Sequence, residues 1–247
     1  MRAVIWDFDG TLGYRSGGAW TATLWEVLQS ALPGCPITQE QLRPYMQSGF
    51  PWHEPDIVHT QIDSADVWWH TYEPVLTRAY QGVGFSGKDA KRYASRFRST
   101  YLNLDRWRVY DDVVPVLDAL SKAGWIHVLL SNHVPELREI VEHLGLVPHF
   151  THILNSADTG YEKPHPCAFR AALAFLSGYQ SVWMVGDNPV ADVRGAMDMG
   201  MPAILVRRYH ADVPFYVDSL HDVPPIIENN PPGIYLNLLK RGAQCMI

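Results

Sequence analysis

Residues 3–12 read Ala3-Val4-Ile5-Trp6-Asp7-Phe8-Asp9-Gly10-Thr11-Leu12. The apolar run Ala3 to Trp6 fits a strand buried on both faces, and it stops at Asp7. Asp7 and Asp9 stand two apart, so in an extended segment both side chains leave the same face. Gly10 permits a tight bend and close backbone approach. Paired carboxylates repel, and one of them tends to hold its proton. A magnesium ion relieves that repulsion and takes a phosphate oxygen as well. The pair also allows divided labour, one carboxylate attacking while the other handles a proton. An Asp-Gly turn without chemistry uses the same residues, so the rest of the chain must decide.

From about residue 110 onward, short apolar runs alternate with helical patterns. Trp125 to Leu130, Thr151 to Leu154, Ser181 to Val185 and Ala203 to Val206 read as buried strands. Between them the three-and-four spacing of a helix face recurs. Its members are Val113, Val116, Leu117 and Leu120; Leu137, Ile140, Val141 and Leu144; Phe169, Ala172, Leu173 and Leu176; and Val190, Val193, Ala196 and Met197. Such alternation predicts an α/β fold, a Rossmann-like parallel sheet covered on both faces, to which Ala3–Trp6 belongs by composition.

Residues 14–109 interrupt the alternation with helices and no convincing strands. One face holds Leu24, Trp25, Leu28, Ala31 and Leu32, and another Ala90, Tyr93, Ala94, Phe97 and Tyr101. Val67 to Tyr80 is helical in period, with a kink expected at Pro74. Six of the nine tryptophans fall here: Trp20, Trp25, Trp52, Trp68, Trp69 and Trp107. The expected organisation is a core of residues 1–13 and 110–229, an α-helical cap at 14–109, and a tail at 230–247. The alternative is that 14–109 simply extends one domain.

In an open α/β sheet, ligands bind outside the carboxyl ends of the strands. Beyond Asp7 and Asp9, the tips offer three more clusters. Ser131-Asn132 precedes Pro135 and a helix, where a hydroxyl and backbone amides suit a phosphate oxygen or serve only as a cap. Lys163 lies just before a helix start, where a lysine is unfavourable to the dipole unless an anion is its partner; a solvated surface lysine is the other reading. Gly186-Asp187-Asn188-Pro189 leaves Asp187 at a strand tip within reach of a metal on the first strand. Asp192 lies in the first helical turns, either supporting these groups or complementing the helix N-terminus. Each cluster alone has a plain explanation, but capping does not account for all four at one edge in chain order.

Together these residues resemble the four motifs of the haloacid dehalogenase (HAD) superfamily: Asp7 to Thr11, Ser131, Lys163, and Gly186 to Asp192. The insert at 14–109 is similar to the first type of cap in that superfamily. The resemblance implies a magnesium-dependent phosphatase acting on a small phosphorylated metabolite. Asp7 would attack phosphorus to form an aspartyl-phosphate. Asp9 would protonate the leaving oxygen and then activate water. Gly10, Ser131, Asn132 and Lys163 would line the phosphate, Lys163 also neutralising charge. Asp7, Asp187 and the backbone carbonyl of Asp9 would ligate Mg2+. Dehalogenating members lack the acid at the place of Asp9, since a halide leaves without a proton. Phosphonate-cleaving members use a cap lysine, and this cap has only Lys88 and Lys91, on a helix that reads as packed. A phosphomutase shares the whole core, and a non-catalytic binding protein on a retained fold is the reading from another class.

Substrate choice is expected in the cap segment Gln47 to Asp56, broken by Gly49, Pro51 and Pro55 and therefore read as a loop. Trp52 is placed there as a pocket wall and His53 as a hydrogen-bonding group; Trp52 as a mere anchor to the cap is the competing reading. The remaining histidines are read as surface or partly buried groups; for His133 and His165, which flank motif positions, contact with substrate is the competing reading.

Composition sets the outer bounds. The chain has 247 residues, 47% hydrophobic and 19% charged, with net charge −6. No basic stripe appears, which disfavours nucleic acid, since phosphate-backbone affinity needs clustered cations. Cys35, Cys167 and Cys245 are odd in number and far apart, which points to reduced thiols. With no signal sequence and no apolar membrane span, the chain is expected to be cytoplasmic.

Overall fold

A computed structural model describes residues 1–230. The expected tail at 230–247 lies outside them, Asn230 excepted. In chain order the strands are β1 (Arg2–Trp6), β2 (Gly13–Arg15), β3 (Trp107–Val109), β4 (Trp125–Ser131), β5 (His152–Asn155), β6 (Ser181–Gly186), β7 (Ala203–Val206) and β8 (Tyr216–Val217). Six of them form one sheet in the order β5-β4-β1-β6-β7-β8, every neighbouring pair parallel. The chain runs outward from β1 to one edge, returns to the other side of β1, and runs outward again. The carboxyl end of β1 therefore sits where the strand order reverses, the usual position of a ligand crevice.

Both faces of this sheet are covered, as its apolar strands require. On β1, Ala3 and Ile5 pack with Phe169, Ala172, Val193 and Ala196. Val4 and Trp6 point the other way, toward Val113, Leu117, Leu137 and Ile140. The first set of partners comes from α8 (Pro166–Ala174) and the turns after β6; the second from α5 (Val113–Lys122) and α6 (Leu137–His143). Each fully buried aliphatic side chain contributes about 1.5–3 kcal/mol, so this doubled burial fixes the register of β1 firmly.

Between β2 and β3 lie α1 (Trp20–Ala31), α2 (Gln39–Leu42), α3 (Ala65–Gly82) and α4 (Gly87–Tyr101). Their apolar faces meet one another: Leu24, Leu28, Trp68, Val75, Leu76, Tyr93 and Phe97 are all buried. Ser64 caps α3 by accepting the Val67 amide, and the helix runs unbroken through Pro74. The remaining helices are the short α7 (Ser156–Thr159), α9 (Gly195–Asp198) and α10 (Val223–Asn229).

Several features depart from the sequence reading. The insert does contain strands: β2 and β3 pair antiparallel, Gly13 against Val109 and Arg15 against Trp107. Each is three residues long, too short for alternation to show. β8 adds a sixth strand to the sheet, and at two residues it is too short to leave a pattern in the sequence. After β6 the chain makes a wide turn, Pro189–Arg194, before α9 begins. The Val193 amide reaches back to the Asn188 carbonyl at 3.3 Å, five residues away. That extra residue rotates the face, so Val193 and Ala196 stay buried while Val190 and Met197 turn outward. Among the described residues Cys35 carries a free thiol. Among the described residues no helix is long and apolar enough to cross a membrane.

Candidate active site

The carboxyl edge of the sheet brings four chain segments together around Asp7. Its amide donates to the Val185 carbonyl at 2.9 Å, extending the β1–β6 pairing one residue past the strand. Immediately after it the chain curls: the Phe8 carbonyl accepts from the amides of Thr11, Leu12 and Gly13. Gly10 carries φ +73°, and a Cβ there would lie 2.4 Å from Asp187 Oδ2. Only glycine lets the first strand's loop pass so close to the tip of β6.

Lys163 is the electrostatic centre. Its Nζ donates to Asp7 Oδ1 at 2.8 Å and to Asp192 Oδ1 at 2.6 Å, with the side chain 2% exposed. Burial alone would push its ammonium down, but Asp192 and Asp7 hold it above the ordinary lysine value. Ser131 Oγ donates to the same oxygen of Asp7 at 3.0 Å. The second Asp192 oxygen accepts the Asn188 amide at 3.0 Å. Asp192 is thus a direct partner of Lys163, delivered inward by the wide turn after β6.

Asn132 has a role the sequence did not show. Its side chain donates to the Lys163 carbonyl at 2.8 Å and accepts the Lys163 amide at 2.7 Å. Both ends of the amide are engaged in holding the lysine's backbone, which leaves the second Nδ2 hydrogen and the main-chain N–H for a phosphate.

Carboxylate oxygens of Asp7, Asp187 and Asp192 all lie within 4.8 Å of one another. Burial raises the Asp187 carboxyl, with Asp7 and Asp192 adding to the rise. Burial raises Asp192 as well, opposed by Lys163. An all-oxygen, strongly anionic donor set of this kind fits a hard divalent cation such as Mg2+ and offers nothing to a thiophilic one. The side chain of Asp9 is outside this cluster, which agrees with a role for its carbonyl rather than its carboxylate at the metal.

The Asp9 carboxylate faces the cavity, its side chain 42% exposed. Enclosure raises its proton affinity above the ordinary carboxylate value, the charge of Asp7 adds to this, and Lys163 opposes it. His133, read from sequence as a bystander, is buried beside it with Nε2 3.5 Å from Asp9 Oδ2. Its ring packs against Phe8, Trp107 and Tyr101. Burial lowers its basicity to about 4. Nδ1 meets the Val134 carbonyl at 3.2 Å. A carbonyl only accepts, so Nδ1 carries the proton and Nε2 offers a lone pair toward Asp9. His165 is a helix cap, accepting the Cys167 amide, and does not line the cavity. The lysines Lys88 and Lys91 are exposed on α4, away from the cavity lining.

A cavity of about 850 Å³ opens above these groups, roofed by the inserted helices and their loops. Trp52 and His53 line it. Their segment is not all loop, however: Pro51–His53 forms a short 3-10 turn and Phe50 is buried in the core. Trp20 shares the cavity wall.

The chain matches the model of the haloacid dehalogenase-like hydrolase family over residues 1–200 and belongs to that family. A phosphoserine phosphatase of Thermus thermophilus is 36% identical over 138 residues, 55% of this chain and 54% of that protein. The chain spans about half the length of the curated relatives it matches. Among solved structures, a HAD-hydrolase from Bacillus subtilis bound to magnesium superposes with TM-score 0.70 at 17% identity, covering 92% of this chain and 98% of that one. A 2-haloacid dehalogenase from Pseudomonas syringae gives TM-score 0.62 at 23% identity, covering 93% and 99%. At these identities the structural likeness establishes the α/β fold.

Proposed function

We propose that this hydrolase is a Mg2+-dependent phosphatase that cleaves the monoester of a small phosphorylated metabolite. The observation that carries the reading is the cavity-facing Asp9 carboxyl, with raised proton affinity, beside the Asp7–Lys163 pair. An ester oxygen needs a proton to leave and a halide does not, so this acid separates the two chemistries of the family.

Lys163 and Ser131 both hold Asp7 Oδ1, fixing the carboxylate for attack. Asp7 attacks phosphorus, and the P–O bond to the alcohol breaks as Asp9 gives its proton to the departing oxygen. Asp9, now a carboxylate, takes a proton from water that attacks the aspartyl-phosphate, releasing inorganic phosphate and restoring Asp7. Lys163, kept charged by Asp192, offsets the negative charge that gathers on phosphate and Asp7. Ser131 and the main-chain amides near Gly10 and Asn132 are the groups available to phosphate oxygens. Asp7, Asp187 and the Asp9 carbonyl would hold Mg2+, which when bound supplies further neutralisation of phosphate and carboxylate charge. The inserted helices act as a cap over this chemistry, excluding water while Asp7 attacks.

The test is hydrolysis of an aryl phosphate with and without Mg2+, by wild type and by Asp9→Asn. Metal-dependent turnover that falls at least about 100-fold in the variant is expected. Equal turnover in both, or release of halide from a 2-haloacid by the wild type, would overturn the assignment.

A further inference from the structure

The roof of the cavity shows what kind of alcohol the phosphate is attached to, an inference that rests on the phosphatase reading. Two tryptophans form the wall opposite the catalytic floor. Trp20 and Trp52 lie 5.1 Å apart between ring centroids, both half-buried and both lining the cavity. Each is braced from behind. Phe50, itself buried, stacks on Trp52 at 4.9 Å and 9°. Phe97 stacks on Trp20 at 5.4 Å and 14°. The wall is therefore a fixed aromatic surface and not a pair of loose side chains.

The charges beside that wall are already occupied. Arg15 lines the cavity, yet all five of its N–H groups have partners. Nε donates to the Tyr101 carbonyl at 3.3 Å. Nη1 donates to the Gly18 carbonyl at 3.0 Å and to Glu26 Oε1 at 3.3 Å. Nη2 donates to Glu26 Oε2 at 2.6 Å and to the Thr100 carbonyl at 3.0 Å. Lys163 is held between Asp7 and Asp192. Burial keeps His53 less basic than usual, Glu54 opposing. Its Nδ1 accepts the Phe50 amide at 3.2 Å, so the proton of the neutral ring sits on Nε2. Among the described residues, the roof thus offers two indole rings, the His53 Nε2–H and the hydroxyls of Tyr14 and Tyr101, all neutral, and no uncommitted cation for a second anion.

We propose that the natural substrate is the monophosphate of an uncharged aromatic alcohol, its ring lying against Trp52 and Trp20 and an oxygen substituent accepting from His53 Nε2. A leaving group bearing a carboxylate or a second phosphate would have to enter this roof unpaired, at the cost of its desolvation. A flat uncharged ring gains stacking and apolar burial there.

The test compares phenyl phosphate with 3-carboxyphenyl phosphate and a sugar bisphosphate, with Mg2+ present. Phenyl phosphate should exceed each in kcat/KM by about tenfold or more. Trp52→Ala should remove that preference while Trp52→Phe retains it, with the folding of both variants checked by melting temperature. Calorimetry with phenylphosphonate and its 3-carboxy derivative reads the same preference as binding, even with turnover absent. Preference for the carboxylate or the bisphosphate, or an unchanged ratio in Trp52→Ala, would overturn the substrate class. If no ester is hydrolysed but phenylphosphonate still binds preferentially, the class stands and the phosphatase reading fails instead.

Discussion

Arg207 grips both oxygens of Asp112, at 2.5 and 3.2 Å, from the far end of the sheet. The same guanidinium donates to the Thr11 carbonyl at 3.2 Å and lies 3.8 Å over the ring of Tyr110. Asp112 also accepts from Ser219 Oγ and the Leu220 amide. One side chain, just past β7, therefore ties down the chain on its way into the inserted helices and again on its way out. Arg207 does this with φ at +63°, a conformation most non-glycine residues avoid.

Replacing Arg207 by Leu should leave Asp112 buried and unpaired, costing about 3 kcal/mol in urea unfolding. Burial pushes the Asp112 carboxyl up, but Arg207, Leu220 and Ser219 together hold it below the ordinary carboxylate value. Its contribution is therefore present above the unfolded carboxylate value near pH 4 and fades as pH falls below it. The variant should lose that acid-side dependence. A variant as stable as wild type, with the same acid limb, would mean the clamp does not hold the fold.

A second dependence lies deeper in the sheet. His127 Nδ1 accepts from Trp6 Nε1 at 3.0 Å, so the ring proton is on Nε2, facing the Leu117 carbonyl at 3.1 Å. Burial lowers this histidine from 6.5 to about 4. A folded state that resists protonation loses stability as pH falls from 6.5 toward 4, by an amount on the order of 3 kcal/mol across that window. Unfolding free energies measured at pH 7.5 and pH 4.5 should diverge less in His127→Gln than in wild type. The same divergence in both would rule out His127 as the source.

Asp7→Asn removes the attacking oxygen while keeping shape, and turnover should fall by about 10⁴-fold or more with an unchanged melting temperature. Thorough chelation should likewise stop the wild type, Mg2+ should restore it, and Ca2+ should restore it poorly because its coordination is looser. Turnover by chelated enzyme at the full rate would remove the metal from the scheme.

Gly10→Ala tests the crowding at the strand tips. The added Cβ meets Asp187 Oδ2 at 2.4 Å and the backbone there is left-handed. Asp187 must give way, so Mg2+ affinity should weaken and kcat/KM should drop by about 100-fold, as for other ångström-scale displacements. Magnesium titrations with the two proteins would show it; equal affinities would mean that Asp187 does not hold the ion.

The parts of this site that could be read from sequence were those tied to strand ends. An apolar run that stops at a carboxylate, as at Asp7, declares both the strand and its tip. Ser131 and Asp187 follow in the same way, while Lys163, past β5 and α7, is legible from the helix start that follows it. What could not be read was set by distance across the fold. The Asn132 side chain looks like a cap until the Lys163 backbone is found beside it. His133 gains meaning only when Asp9 arrives from another strand. The wide turn at Pro189–Arg194 has no periodicity of its own, so the helix face was extended through it and Val190 and Met197 were placed inside. Ribbons as short as β2 and β3 leave no pattern at all.

Those two short strands have one more consequence. Because Gly13 pairs with Val109, everything from Tyr14 to Arg108 hangs from a single doorway. Beyond the two jambs the insert touches the core at separate points, Trp69 and Arg98 on Glu136 and the His59 amide on the Gly160 carbonyl, so it can differ in length and shape with little disturbance to β1 or β4. A short hairpin turn grafted across Gly13 and Val109 should close the doorway and leave the sheet to fold, with its carboxylates bare to water. Evolution has the same freedom: new rooms can be built on this threshold while the hearth of Asp7 and Lys163 stays where it is.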